Sequence, residues 1–158
     1  MMLAVSPVVS LDVTDFDCSD VGGGNYALDF NGNVGVVIPK SPDLNPSVFT
    51  ISAWVNPDAV IGSWRAIVSS RTSGSGYTLY ISPQGQFQFW RGWSSMVNGP
   101  TVTAGVWTHV AGTYDGNTFR LHKWTAGWLE YSANDPINTT TNVHIGSVSD
   151  QALGECTV

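Results

Sequence analysis

The acidic residues decide whether this chain can hydrolyse a glycoside, because that chemistry needs two carboxyl groups about 5 to 10 Å apart. The glutamates are Glu130 and Glu155, and no predicted core strand carries acids at alternate positions. We therefore predict no catalytic residues and no enzymatic activity. A polysaccharide lyase would bring Tyr, His and Arg or Gln together; His109, His122 and Tyr80 are the nearest residues of those types, without a lyase motif around them. His109 is better interpreted as a strand residue bonded to neighbouring backbone.

An acidic segment near the N-terminus is the one candidate for a cation site in the sequence. Asp12, Asp15, Asp17 and Asp20 lie close together in sequence, and Ca²⁺ prefers several oxygen ligands at once. Their spacing matches no EF-hand, so a solvated acidic loop is the better interpretation. No His/Cys group has zinc spacing, and we predict no metal and no cofactor.

The charge of the chain excludes one class of partner. Six Lys and Arg residues are scattered along a sequence of net charge −6, whereas nucleic-acid binding depends on clustered positive charge. Nor is there a run approaching the ~18 apolar residues of a membrane span. Neither nucleic acid nor a membrane is an expected partner.

A hairpin is the clearest structural element in the sequence. Residues 105–114 are rich in β-branched and aromatic side chains and lead into the turn pair Asp115-Gly116. The alternation then continues on the second strand. Phe119, Leu121 and Lys123 are predicted on one side, and Arg120, His122 and Trp124 on the other.

The remaining strands are short and separated by turn signals. In 48–57 the alternation places Phe49, Ile51, Ala53 and Val55 inward and Trp54 on the opposite face. Further strands are predicted in two segments around Asn31-Gly32, and at 65–71, 77–82, 86–91, 128–131 and 143–146. About ten short strands with no helical period predict an all-β fold, a two-sheet antiparallel β-sandwich or jelly roll.

Several motifs, in order, resemble the laminin-G-like group of the concanavalin A-like lectin/glucanase superfamily. They lie within about residues 25–146, and are Ala27-Leu28-Asp29-Phe30-Asn31-Gly32, Val37-Ile38-Pro39, Phe49-Thr50-Ile51-Ser52-Ala53-Trp54-Val55, Gly76-Tyr77-Thr78-Leu79, Trp107-Thr108-His109-Val110-Ala111-Gly112-Thr113-Tyr114-Asp115-Gly116 and His144-Ile145-Gly146. The resemblance implies a two-sheet jelly roll. It also implies a closing strand after Gly146, which the short remaining segment does not visibly supply.

The tryptophans are the candidate ligand-binding residues, since an indole ring stacks on sugars and anchors protein interfaces. Trp54 and Trp107 match positions of the resembled family and are interpreted as structural. The others considered fall where the sequence departs from the family pattern, close to two arginines. The predicted binding surface comprises Trp64, Arg65, Trp90, Arg91, Trp93 and Trp128.

Residues 1–24 are predicted to form an N-terminal arm, and 25–158 the sandwich. The arm is apolar and β-branched, and Pro7 restricts it to a sheet edge or a bulge. It either folds back on its own sheet, which would bring Cys18 near Cys156, or crosses to another subunit. We favour the second route and a homo-oligomer such as a trimer. The expected oligomer contacts are Leu3, Val5, Val8, Val9 and Leu11.

Two functions fit these features. The first is a non-catalytic structural protein of a larger assembly, such as a decoration or cement protein on the surface of a virion, because the chain is short, weakly charged and without a visible export signal. The alternative is a lectin-like carbohydrate-binding module of an extracellular or cell-surface protein, which the resemblance suggests by fold analogy.

Overall fold

The computed structural model describes residues 2–4, 27–30, 34–44, 46–59, 62–72, 75–92, 95–123, 127–132, 141–147 and 154–157. Within them, the only helical element is a single 3₁₀ turn, Pro42–Leu44. The strands are β1 (Met2–Ala4), β2 (Leu28–Asp29), β3 (Val34–Ile38), β4 (Phe49–Asn56), β5 (Arg65–Thr72), β6 (Ser75–Ile81), β7 (Gln86–Arg91), β8 (Ser95–Thr101), β9 (Thr108–Tyr114), β10 (Thr118–Lys123), β11 (Gly127–Ser132), β12 (Val143–Ile145) and β13 (Gly154–Thr157). The predicted all-β sandwich is confirmed.

One sheet has six strands in the order β11-β10-β9-β4-β1-β2, all antiparallel. The predicted hairpin forms β9 and β10. Its turn is closed by Asp115, whose Oδ1 accepts hydrogen bonds from the backbone N–H groups of Asn117 and Thr118 at 3.0 and 2.8 Å. Gly116 has a φ of 97°, a left-handed conformation that favours glycine. Asp115-Gly116 therefore forms the hairpin turn that the sequence predicts.

The other sheet has seven strands in the order β13-β3-β12-β5-β6-β7-β8. Strand β8 was not predicted, because Gly99 and Pro100 are strand breakers in the middle of a sheet. It lies at the sheet edge, where a residue without an N–H is tolerated. A bulge in β5 shifts the register between Ala66 and Val68.

The core lies between the two sheets. Alternation on β7 and β10 buries Phe87, Phe89, Phe119 and Leu121. The ring of Phe89 is 5.3 Å from that of Phe119 in an edge contact. On the facing β9, Gly112 leaves room for the Phe89 ring. This aromatic packing holds the sheets together, and leaves their outer faces to carry other side chains.

The structure bears on two expectations about the chain ends. Leu3 pairs with Leu28 of β2 and Val55 of β4 within the same chain, so both sides of its backbone are used there. Contact of the arm with another subunit stays a prediction. The expectation that no closing strand follows Gly146 is corrected, because β13 pairs in parallel with β3.

Candidate functional site

The outer face of the seven-stranded sheet carries mainly polar and aromatic side chains. Because successive side chains of a strand point to opposite faces, the residues that alternate with the core of β6 and β7 share this face. Tyr80 lies opposite Gln88, and Gln88 opposite Asn98 on β8. We call Gln88 and Asn98 the amide row; Tyr80 continues it on β6.

Three aromatic rings meet beside the amide row. Trp64 lies just before β5, and its ring centroid is 5.5 Å from Tyr80 and 5.9 Å from Trp90, both in edge contacts. Trp64 is 52% exposed, whereas Tyr80 is buried and Trp90 half-buried. The two inner rings thus support Trp64 on the outside. We call Trp64, Tyr80 and Trp90 the aromatic cluster.

The amide row is held by side-chain hydrogen bonds. Trp90 Nε1 donates to Gln88 Oε1 at 2.9 Å, and Gln88 Nε2 donates to Asn98 Oδ1 at 2.5 Å. Gln88 is buried and Asn98 is exposed. The row therefore ends in an exposed amide whose position is set by its neighbours.

A positively charged side chain lies along the same face. The guanidinium carbon of Arg71, on β5, is 5.6 Å from the centroid of the Tyr80 ring. Ser69 and Thr78, on neighbouring strands of this face, share a hydrogen bond of 3.1 Å and are buried. His144 of β12 is paired with Ser69 in the ladder. Arg71 itself is half-buried, so part of its side chain reaches solvent.

The structure brings together only some of the residues of the predicted binding surface. Trp64 and Trp90 come together, but Arg91 was placed wrongly. It lies 4% exposed on the core side of β7, where its Nη1 donates to Tyr114 Oη at 2.7 Å and its guanidinium carbon is 4.4 Å from that ring. The reason is alternation, which puts Arg91 on the same side as Phe87 and Phe89.

Of the other predicted binding residues, Arg65 is the one whose side chain the structure describes, and it is not part of the aromatic cluster. Arg65 is half-buried at the start of β5, with Nη1 donating to the carbonyl of Ser63 at 3.2 Å. Trp93 lies outside the described residues, as does the side chain of Trp128. Of the expected oligomer contacts, Leu3 is described through its backbone, and the residues outside the description are Val5, Val8, Val9 and Leu11.

The outer face of the six-stranded sheet carries a different group. Trp54 is 42% exposed and its ring is 5.3 Å from that of His109, its ladder partner on β9. Trp107, two residues before His109, is 41% exposed. Burial lowers the pKa of His109, and the charge of His122 lowers it further. Neither Trp54 nor Trp107 is buried in the core, so their burial does not support the interpretation that they are structural.

The three residues considered for lyase chemistry are divided between the two sheets. His109 and His122 lie on β9 and β10, whereas Tyr80 lies on β6. No strand within the described ranges carries two carboxylates, since Asp29, Glu130 and Glu155 belong to separate strands. The acidic segment considered for Ca²⁺ lies outside those ranges.

Two further searches apply to the described residues alone. They contain no group of three or more His, Cys, Asp or Glu side chains arranged to hold a metal ion. They also contain no helix long and apolar enough to cross a membrane.

The comparison with known families agrees with this architecture. A laminin-G-like family model, described as the concanavalin A-like lectin/glucanases superfamily, matches residues 30–149. The chain belongs to this superfamily. A search of curated proteins found no match. As a concanavalin A-like domain, the protein has the two-sheet sandwich expected from its motifs, and the matched region contains the aromatic cluster, the amide row and Arg71.

The sequence reasoning missed Arg71, Gln88 and Asn98 as site residues. Gln88 could have been found, because it alternates with Phe87 and Phe89 and so shares a face with Trp90. Arg71 could not, because the bulge in β5 changes which of its residues share a face. Asn98 lies on the strand that was not predicted.

Proposed function

We propose that this concanavalin A-like domain is a non-catalytic carbohydrate-binding module, and that its ligand binds on the outer face of the seven-stranded sheet. The observation that carries the proposal is the exposed ring of Trp64, supported edge-on by Tyr80 and Trp90. An indole held in this way presents an apolar surface to a sugar ring. The exposed amide of Asn98, at the end of the neighbouring amide row, supplies a hydrogen-bonding group to the hydroxyls of the sugar.

An exposed aromatic ring, Trp64, beside amide groups held in fixed positions, Gln88 and Asn98, suits sugar recognition. Stacking alone is insensitive to the identity of the sugar, whereas amide groups held in fixed positions can select one pattern of hydroxyl groups. The bond from Gln88 to Asn98 fixes the exposed amide before a ligand arrives. Preorganisation of this kind lowers the entropic cost of binding.

The test is a glycan array followed by calorimetric titration with a monovalent oligosaccharide from the strongest hit. We expect Trp64→Ala to weaken binding by about 10-fold or more, as loss of an aromatic anchor does. Trp54→Ala is the matched control, since Trp54 is equally large and similarly exposed but lies on the other sheet. An array without any hit, or equal losses for the two variants, would refute the assignment.

The proposed absence of catalysis needs its own measurement. The protein would be incubated with the oligosaccharides it binds, and reducing ends and the ultraviolet absorbance of unsaturated uronates would be followed. We expect neither to rise above a protein-free blank. Turnover that is lost in Tyr80→Phe would contradict the proposal.

A second candidate function is a structural role in a protein assembly, of which a virion surface is the case favoured by the sequence. The observation in its favour is the exposed pair Trp54 and Trp107 together with Val106, near the end of β4 and the start of β9. Aromatic side chains of this kind are enriched at protein interfaces. Sedimentation equilibrium tests it: Trp54→Lys should lower the mass of the particle, and an unchanged monomeric mass for both proteins would argue against self-assembly through this patch.

A further inference from the structure

The exposed end of the amide row is followed by a residue that makes it chemically reactive. Asn98 is exposed on β8, and Gly99 comes directly after it. The side-chain amide of an asparagine and the backbone nitrogen of the next residue are held close enough by the chain to react with each other and close a ring. A glycine in the second position leaves that nitrogen unshielded, because it has no Cβ.

The packing of the two sheets requires a glycine at this position. A Cβ built on Gly99 would lie 2.9 Å from the carbonyl oxygen of Phe87 and would overlap the side chain of Leu121. Leu121 is fully buried in the core, where close packing leaves little room for it to withdraw. The fold therefore keeps a glycine after Asn98 although the pair is chemically labile.

The backbone after Asn98 departs from the regular ladder. On β7 one residue separates Gln86 from Gln88, whereas two residues, Gly99 and Pro100, separate their partners on β8. The extra residue is a β-bulge, which disrupts the pairing locally. Within the described residues, β8 pairs with β7 alone. The peptide group between Asn98 and Gly99 is therefore less restrained than one in a central strand.

The amide of Asn98 is also polarised by its neighbour. Gln88 Nε2 donates a hydrogen bond to Asn98 Oδ1 at 2.5 Å. Negative charge develops on this oxygen when a nucleophile attacks Cγ, and a donor already directed at it stabilises that charge. The bond that fixes the exposed amide thus also favours attack on its carbon.

We propose that Asn98 is a self-modification site, at which the chain converts the exposed amide of the amide row into a carboxylate. The Gly99 nitrogen bonds to Asn98 Cγ, the Cγ–Nδ2 bond breaks, and Nδ2 leaves as ammonia with the proton of the Gly99 N–H. Water then opens the resulting succinimide. Cleavage of the new N–Cγ bond gives aspartate, and cleavage of the original peptide C–N bond gives isoaspartate, whose backbone is longer by one methylene group.

The two products would change the site differently. Aspartate keeps an oxygen that accepts the hydrogen bond from Gln88, but it has no N–H to donate to a sugar hydroxyl. Isoaspartate lengthens the backbone of β8 beside Gly99, where Leu121 leaves no room. We therefore expect the isoaspartate form to have a lower melting temperature than the aspartate form. The modification itself does not depend on the proposed carbohydrate-binding function.

Two other places in the chain serve as internal controls. Asn142 is exposed and its Oδ1 also accepts a hydrogen bond, from the backbone N–H of Lys40 at 3.0 Å, but the β-branched Val143 follows it. Asp115 is followed by a glycine, but its carboxyl group is ionised, since hydrogen bonds hold its pKa at about 2. A carboxylate is a poor target for a nucleophile, so neither control should react as Asn98 does.

The experiment follows the protein during incubation in mildly alkaline buffer, by ion exchange and by tryptic mapping with fragmentation. Cleavage after Lys and Arg places Asn98 in peptide 92–120 and Asn142 in peptide 124–158. We expect Asn98 to exchange its amino group for a hydroxyl group before Asn142 does, with isoaspartate detected by enzymatic methylation. Each event adds one negative charge to the net charge of −6.

Asn98→Gln tests the assignment, because its longer side chain keeps an amide but would have to close a larger ring. This variant should lose the change in peptide 92–120, while any reaction at Asn31-Gly32 would appear separately in peptide 1–40. A synthetic peptide 92–120 serves as the reference without the fold. Thermal melting confirms that the variant is folded.

Two results would overturn the proposal. If the synthetic peptide reacts but Asn98 in the folded protein reacts no faster than Asn142, β8 protects the amide and the proposal is wrong. If Asn98→Gln changes in peptide 92–120 at the wild-type rate, another residue is modified and the assignment to Asn98 is wrong. Both readouts are made without a glycan, so they stand or fall separately from the proposed function.

Discussion

Gly112 is predicted to set the distance between the two sheets at the centre of the core. It pairs with Ile51 on one side and Leu121 on the other. A Cβ added there would lie 2.8 to 2.9 Å from three atoms of the Phe89 ring, whereas carbon atoms in contact are normally about 3.5 to 4.0 Å apart. In Gly112→Ala, either the Phe89 ring or the backbone at position 112 must therefore move by about 0.7 Å or more.

The Phe89 ring has little freedom to make that movement. It is fully buried, with the Phe119 and Phe49 rings at 5.3 and 6.2 Å. Overpacking a core by one methyl group costs about 1 to 3 kcal/mol, while the loss of glycine's freedom in the unfolded chain returns about 0.4 to 1 kcal/mol. We expect Gly112→Ala to lower the free energy of unfolding by about 1 to 2 kcal/mol.

Urea denaturation followed by tryptophan fluorescence measures the effect. The midpoint should fall by roughly 0.5 to 1 M with an unchanged m-value. Phe89→Leu removes the obstructing ring edge, so the double variant should be more stable than the sum of the single effects predicts, by about 1 kcal/mol. If Gly112→Ala were as stable as the wild type, the Phe89 ring would not limit the approach of the two sheets. The same would follow if the effects of Gly112→Ala and Phe89→Leu on the free energy of unfolding were strictly additive in the double variant.

Three further predictions concern the turn, the buried arginine and the first strand. Backbone hydrogen bonds and Arg120 hold the pKa of Asp115 at about 2, below its usual 3.8. Asp115→Asn should thus be less stable than the wild type near pH 7, with the difference vanishing as the pH falls from about 4 to 2; a pH-independent difference would contradict this. Tyr114→Phe removes the hydroxyl that accepts a hydrogen bond from Arg91. We expect the free energy of unfolding, measured by urea denaturation, to fall by about 1.5 to 3 kcal/mol. An unchanged value would show that this bond does not stabilise the fold. Leu3→Pro interrupts β1 inside its own sheet, so it should lower the melting temperature without changing the mass in solution; a lower mass at unchanged stability would instead indicate pairing between chains.

The sequence allowed good prediction wherever alternation and a turn agreed. The inward set of β4 and the hairpin at Asp115-Gly116 are both as expected, since each side chain's face follows from a period of two once one core residue is known. The missing prediction of strand β8 also has a physical cause. Gly99 and Pro100 concealed β8 because their cost depends on whether a strand is central or at an edge, which sequence alone does not reveal.

The error at Arg91 has a different origin. Arg91 is predicted on the binding surface from its position next to the candidate tryptophans, whereas alternation with Phe87 and Phe89 places a charged residue, usually exposed, on the core side. The fold satisfies the charge with the Tyr114 hydroxyl and ring, a partner on the other sheet that only the tertiary structure supplies. A strong pattern on one strand should therefore outrank a general preference about residue type.

The layering of the candidate site determines which of its residues are useful to mutate. Gln88 and Tyr80 are buried beneath the surface of the face, so changes there would disturb the fold as well as the ligand. Trp64 is exposed and Arg71 half-buried, and both rest on that inner layer through Tyr80. Loss of binding with unchanged melting temperature at Trp64 and Arg71 would therefore report on ligand contact itself. If a substitution at Gln88 lowered both the binding affinity and the melting temperature, it would show only that the supporting layer had moved.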